Sequence, residues 1–109
     1  MMRLVGIELY GPVICGTCIF AASALRRADI PSHKTVVDDG QHPALVNARL
    51  AAGYAPDALI PMPAVYLVYE NDAGIRREAY YCNGEEFMKR KDTIIPLLVR
   101  SVALVTARA

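Results

Sequence analysis

The chain has 109 residues, enough for one small domain with its own core. Apolar residues make up 54% of it, which excludes a disordered chain, and a net charge of +1 without a long basic run argues against nucleic acid as a partner. No segment approaches the length of a membrane span, and three cysteines are too few for a secreted disulfide scaffold, so the expectation is a soluble protein of a reducing cytosol.

Met1-Met2-Arg3 runs directly into strand-like sequence, with no apolar leader and no small-residue cleavage site. Leu4 to Tyr10 is an apolar run broken by Gly6 and Glu8, which fits a central strand of a parallel or mixed sheet. Gly11-Pro12-Val13-Ile14 is a loop with an apolar tip, suited either to docking a substrate protein or to being an ordinary tight turn. The helix after it, from about Gly16 to Ala28, sets Cys18, Ala21, Ala22, Leu25 and Ala28 on one face, the spacing of a face packed on a sheet. Asp29-Ile30-Pro31 ends it. Lys34 to Val37 is a short second strand, so the unit predicts a right-handed parallel crossover.

Asp38 to Pro43 is a turn that leads into a helix from Ala44 to Ala52, with Gly53 as its C-cap. His33 and His42 read as a strand-end residue and a turn residue. Pro61 and Pro63 precede a β-branched and aromatic strand to Tyr69, and Pro63 belongs at its start or edge because it cannot donate to a ladder. Asn71-Asp72-Ala73-Gly74 is a hairpin turn, and Ile75 to Tyr81 returns antiparallel. Cys82 to Phe87 opens a third helix, capped by Asn83 or Gly84, with Glu85 and Glu86 suited to its dipole. Asp92-Thr93 then caps a last, strongly apolar helix to about Ala107, with Pro96 near its start. This last helix is expected to pack on the domain, with a dimer interface as the alternative. Repeats and linkers are absent, so residues 1–109 read as a single domain.

The chemistry concentrates in Cys15-Gly16-Thr17-Cys18, where a strand hands over to a helix. A thiolate, not a thiol, attacks a disulfide, and a helix N-terminus lowers a thiol pKa with its free N–H groups and positive dipole end. Cys15 falls at the N-cap, facing those donors and solvent, and Cys18 lies one turn in on the buried side. The pair is therefore within disulfide reach. Cys15 is assigned as nucleophile and Cys18 as resolving thiol. A zinc half-site or two buried core cysteines are the rivals. A structural zinc site usually needs four ligands in close pairs, and only Cys82, His33 and His42 remain. A Cys-x-x-Cys beside a strand–helix–strand pattern favours the redox reading.

The order of elements, the Cys-x-x-Cys after the first strand and Pro63 before the third resemble the thioredoxin-like fold. That implies an α/β domain with a central four-stranded mixed sheet flanked by helices, here with an extra apolar C-terminal helix. Tyr10, Cys15-Gly16-Thr17-Cys18, Met62-Pro63-Ala64-Val65-Tyr66 and Gly84-Glu85-Glu86-Phe87 resemble the glutaredoxin family, of the phage or NrdH-like kind, over residues 4–90. The resemblance implies a thiol–disulfide oxidoreductase that reduces protein or glutathione mixed disulfides. It implies a cis Met62–Pro63 bond facing the disulfide, with the Met62 backbone pairing with an extended substrate chain. It also implies Tyr10, Gly16, Thr17, Met62, Pro63, Gly84 and Glu85 as the substrate- or glutathione-binding set. Three features depart from the family pattern: Gly11 to Ile14 carry no basic residue, Gly16-Thr17 replaces the usual Pro-Tyr pair, and Cys82-Asn83 replaces a double glycine.

The partners implied are protein disulfides, ribonucleotide reductase among them, with glutathione or thioredoxin reductase as the source of electrons. Glutathione is a co-substrate, no cofactor or metal is tightly held, and the expected state is a cytoplasmic monomer. The alternative is a module that carries zinc or an iron–sulfur cluster through Cys15, the cluster shared between two protomers with glutathione. Cys82 is left as a spare thiol at the rim, a glutathionylation point or a core cysteine.

Overall fold

The N-terminal apolar run forms strand β1 (Arg3–Gly11), and its parallel neighbour is β2 (Ser32–Val36). Helix α1 (Gly16–Arg27) makes the crossover between them. The structure, a computed structural model, describes residues 1–108, with side chains through Val102. Helix α2 (Pro43–Ala52) leads to the antiparallel pair β3 (Ala64–Glu70) and β4 (Arg76–Asn83), and α3 (Gly84–Arg108) completes the order. The strands form one mixed four-stranded sheet in the order β2-β1-β3-β4, with β3 antiparallel to both β1 and β4. A radius of gyration of 13.8 Å is near the value of about 13 Å for a compact chain of this length. Among the described residues no helix is long and apolar enough to cross a membrane.

Side chains on the two sheet faces build two cores. Leu4, Ile7, Leu9 and Val65 pack against Ala21 and Leu25 of α1 and Phe87, Ile94 and Leu98 of α3. On the opposite face Ala64 and Tyr66 pack against Ala44, Leu45 and Ala48 of α2. The expected face of α1 is the buried one: Cys18, Ala21 and Leu25 are buried, with Ala22 and Ala28 half-buried beside them. His42 caps α2 by accepting the Ala44 N–H at its Nδ1 (3.1 Å), and Gly53 closes that helix in the left-handed conformation, as expected. Asn71 closes the hairpin, its Oδ1 accepting the N–H groups of Ala73 and Ile75.

Two expectations are corrected at the C-terminal end. Cys82 does not open a helix: β4 continues past Tyr81 to Asn83, with Cys82 paired to Val65 and Asn83 to Ala64. Nor do two helices follow. Residues 84–108 form one helix that runs through Asp92-Thr93 with Pro96 inside it. Proline in a helix interior costs about 3 kcal/mol. Burial of Ile94 and Leu98, on either side of it, contributes about 2 kcal/mol each and outweighs that loss. The apolar tail is therefore the second half of α3, with one side on the core and with Leu97 and Val99 exposed.

Arg49 is a buried cation on α2. Its Nε donates to Ala58 O and its Nη1 to Gly40 O, both at 2.7 Å, so it ties the loops at the two ends of α2 together. The second of those loops leads to Met62–Pro63.

Candidate active site

Cys15 is the N-cap of α1 with an extended backbone (φ −152°, ψ 99°). Its Sγ accepts the Cys18 N–H at 3.1 Å, so one of the unpaired donors of the helix start is aimed at the sulfur. The two cysteines are joined as a disulfide with Cα atoms 5.2 Å apart, inside the normal range. Cys18 is fully buried. Cys15 is more covered than its expected place facing solvent, at 8% exposure. The residues on either side of the motif are the exposed ones: Ile14 is 92% exposed, and Val13 before it and Ile19 and Phe20 of α1 after it are largely so. The apolar tip of the loop is therefore a rim around a recessed disulfide.

Gly11 and the Met62–Pro63 peptide form the floor. The Met62–Pro63 bond is cis. A Cβ added at Gly11 would lie 2.5 Å from Cys18 Sγ, 3.7 Å from Cys15 Sγ and 3.8 Å from Pro63 Cα, so the end of β1, both sulfurs and the proline meet at one point. Only glycine leaves room there. Sequence reading did not single out Gly11; a glycine closing the strand that leads into a Cys-x-x-Cys was the available signal. Met62 lies two residues before β3 begins at Ala64, and its N–H donates to no backbone group among the described residues.

Gly84, assigned by resemblance to glutathione, has a demanding steric role. An added Cβ would fall 2.0 Å from Met62 O and 2.7 Å from Pro63 Cδ. Its N–H donates to Pro61 O at 3.1 Å. Asn83 caps α3, its Oδ1 accepting the Glu86 N–H at 2.9 Å, and its Nδ2 donates to Tyr54 Oη at 3.3 Å. Thus the start of α3, the loop before β3 and the proline are one packed unit. Glu85 follows on the surface, where Lys89 donates to it at 2.7 Å and holds its carboxyl below the usual range.

Other expected site residues stand differently. Gly16 is exposed and a Cβ there meets nothing, and Thr17 is half-buried. Tyr10 lies on the α2 side of the sheet. Its hydroxyl donates to Glu78 at 2.6 Å and its ring meets Tyr66 edge-on at 5.1 Å. Burial, then the Glu78 hydrogen bond, raise its pKa well above that of a free tyrosine. Cys82 is a core residue at 3% exposure, not a rim thiol; burial pushes its pKa up to about 12. Among the described residues no group of three or more His, Cys, Asp or Glu side chains is arranged to hold a metal ion.

One cation reaches the loop from outside the motif. Lys34 of β2 donates from Nζ to Pro12 O at 2.7 Å, and Val37 N–H donates to Gly11 O at 2.9 Å. Sequence reading missed Lys34 because its partner is 22 residues away and is a carbonyl, which leaves no pattern.

No protein-family model, curated protein or solved structure matches the chain.

Proposed function

We propose that this chain is a thiol–disulfide oxidoreductase with a thioredoxin-like fold, of the glutaredoxin type. The observation that carries the reading is the disulfide at the N-cap of α1, with the Cys15 sulfur accepting a helix N–H and lying against Gly11 beside the cis Met62–Pro63 bond. In the reduced protein the same donor stabilises a Cys15 thiolate.

The cycle follows from that arrangement. The Cys15 thiolate attacks one sulfur of a substrate disulfide; an S–S bond to Cys15 forms, the substrate S–S bond breaks, and the departing thiolate takes a proton from water. Cys18 then gives its proton to water and attacks the Cys15 sulfur as a thiolate, breaking the Cys15–substrate S–S bond, and the departing substrate thiolate takes a proton. The Cys15–Cys18 disulfide remains. Two electrons have passed to the substrate, and an external thiol reductant, glutathione or a thioredoxin-reductase system, returns them. The free Met62 N–H beside the proline is placed to accept an extended substrate chain as a short added strand. The apolar rim of Val13, Ile14, Ile19 and Phe20 suits a protein disulfide as substrate.

The test is paired substitution with intact-mass detection. Cys15→Ser abolishes reduction of disulfide substrates, and Cys18→Ser accumulates a mixed disulfide on Cys15. Full activity of Cys15→Ser refutes the reading. Running both reducing systems in parallel identifies the electron source.

A further inference from the structure

Lys34 is the feature of the site that the cycle above leaves without a role. It stands on the edge strand β2, and its ammonium is hydrogen-bonded to the carbonyl of Pro12, within the loop that carries Cys15. Pro12 is bonded to Gly11, whose Cα side contacts both sulfurs. The segment that carries the disulfide, Gly11 to Phe20, and the Met62–Pro63 peptide beside it contain no charged residue.

The other charged groups on the elements packed against the loop are mixed or acidic. Arg26, Asp29 and His33 share with Lys34 a groove of about 480 Å³ between α1 and β2. Asp38 and Asp39 follow Val37, which is bonded to Gly11. Glu85 and Glu86 open α3 beyond Met62–Pro63, and Glu85 is matched by Lys89. Asp38-Asp39 and Glu85-Glu86 are exposed on the segments that follow Val37 and Gly84, and Lys34 is the cation bonded into the loop that carries Cys15. A nearby cation favours the charged form of a thiol, and a nearby carboxylate opposes it.

From this placement we infer that Lys34 is a positioning residue for thiol exchange: its ammonium fixes the Pro12 carbonyl and lowers the pKa of Cys15. The inference rests on the oxidoreductase reading only for its consequence in turnover; the acidity of Cys15 can be measured without it.

The experiment titrates Cys15 in the reduced full-length protein by the pH dependence of its alkylation, with mass identification of the modified peptide. Lys34→Met and Lys34→Gln are compared with Lys34→Arg. Lys34 is only half-buried, so these changes leave both cores intact, and circular dichroism checks the fold of each variant. Met and Gln are expected to raise the Cys15 pKa by about half a unit, and Arg to restore it. Half a unit reduces the thiolate fraction at neutral pH by at most about threefold, the full factor holding only where the pKa lies above 7, and the exchange rate with a protein disulfide falls by less, because the more basic thiolate is the better nucleophile. A Cys15 pKa unchanged in both Met and Gln overturns the inference. So does a Gln variant matching the wild type, because the donor would then matter and the charge would not. If the wild type reduces no disulfide at all, the oxidoreductase reading fails, while the alkylation titration still decides the role of Lys34.

Discussion

Gly11→Ala tests the geometry of the site most directly. The new Cβ would lie 2.5 Å from Cys18 Sγ, more than 1 Å inside an ordinary carbon–sulfur contact. In the oxidised protein that sulfur cannot move aside. It is bonded to Cys15, whose own position is set by the helix N-cap and by the Cys18 N–H. In the reduced protein Cys18 is no longer tied to Cys15, so its sulfur can shift by turning about χ1. The overlap therefore penalises the oxidised state more than the reduced one. Forcing an extra methyl into a packed site costs about 1–3 kcal/mol. For a two-electron couple about 30 mV corresponds to 1.4 kcal/mol, so the reduction potential rises by about 20–60 mV, toward a more oxidising protein. The assay is equilibration in thiol–disulfide buffers of known potential, followed by alkylation and mass measurement of the reduced fraction. A Gly11→Ala potential equal to the wild type's, or more reducing, refutes the reasoning, because the sulfurs would then not be held against β1.

Pro96→Ala restores a backbone donor inside α3 and removes the ring that crowds the preceding turn; it is expected to stabilise the protein by about 1–3 kcal/mol, read as a higher thermal midpoint with unchanged helix content. Cys82 supplies a pH dependence whose sign follows from its raised pKa. The folded thiol ionises near 12 and the unfolded one near its ordinary value of 9.0, so between these values the unfolded chain has lost a proton that the folded chain retains. Its contribution is fully present below that ordinary value and is lost as pH rises toward 12, by a few kcal/mol in all; denaturant titrations of the wild type and Cys82→Ala across this range should show the variant's profile to be flatter.

What could be read in the sequence was the part set by neighbours along the chain. The Cys-x-x-Cys between an apolar run and a helix former located the N-cap because capping depends on a few consecutive residues. Gly53 and Asn71 to Gly74 marked their turns for the same reason. The fate of Cys82 and Asn83 was not legible, since it depends on Val65 and Ala64 across the sheet extending the ladder by two residues. The length of α3 was misread because Asp92-Thr93 and Pro96 look like a stop and a start. Burial of Ile94 and Leu98 on the α1–α3 side overrides those local signals. Lys34 and Arg49 were invisible as anchors. Each holds carbonyl groups rather than carboxylates, so no charge pairing in the sequence announces them.

Glycine is demanded at two places near the site, and neither lies within the motif. Pro63 is held between Gly11, whose added Cβ would come to 3.8 Å from the proline Cα, and Gly84, whose added Cβ would overlap the Met62 carbonyl. Position 84 therefore needs glycine to seat the Met62–Pro63 peptide against the start of α3, whatever binds there, so the glycine by itself does not argue for glutathione. Gly16 is the reverse case. It is the first residue of α1, it is exposed, and a side chain there meets no other atom. The packing thus constrains the backbone beneath the sulfurs and leaves the residue between them open. Substitutions at 16 act on the cysteines through the helix start alone, and those at 11 and 84 act by moving the surface the disulfide rests on.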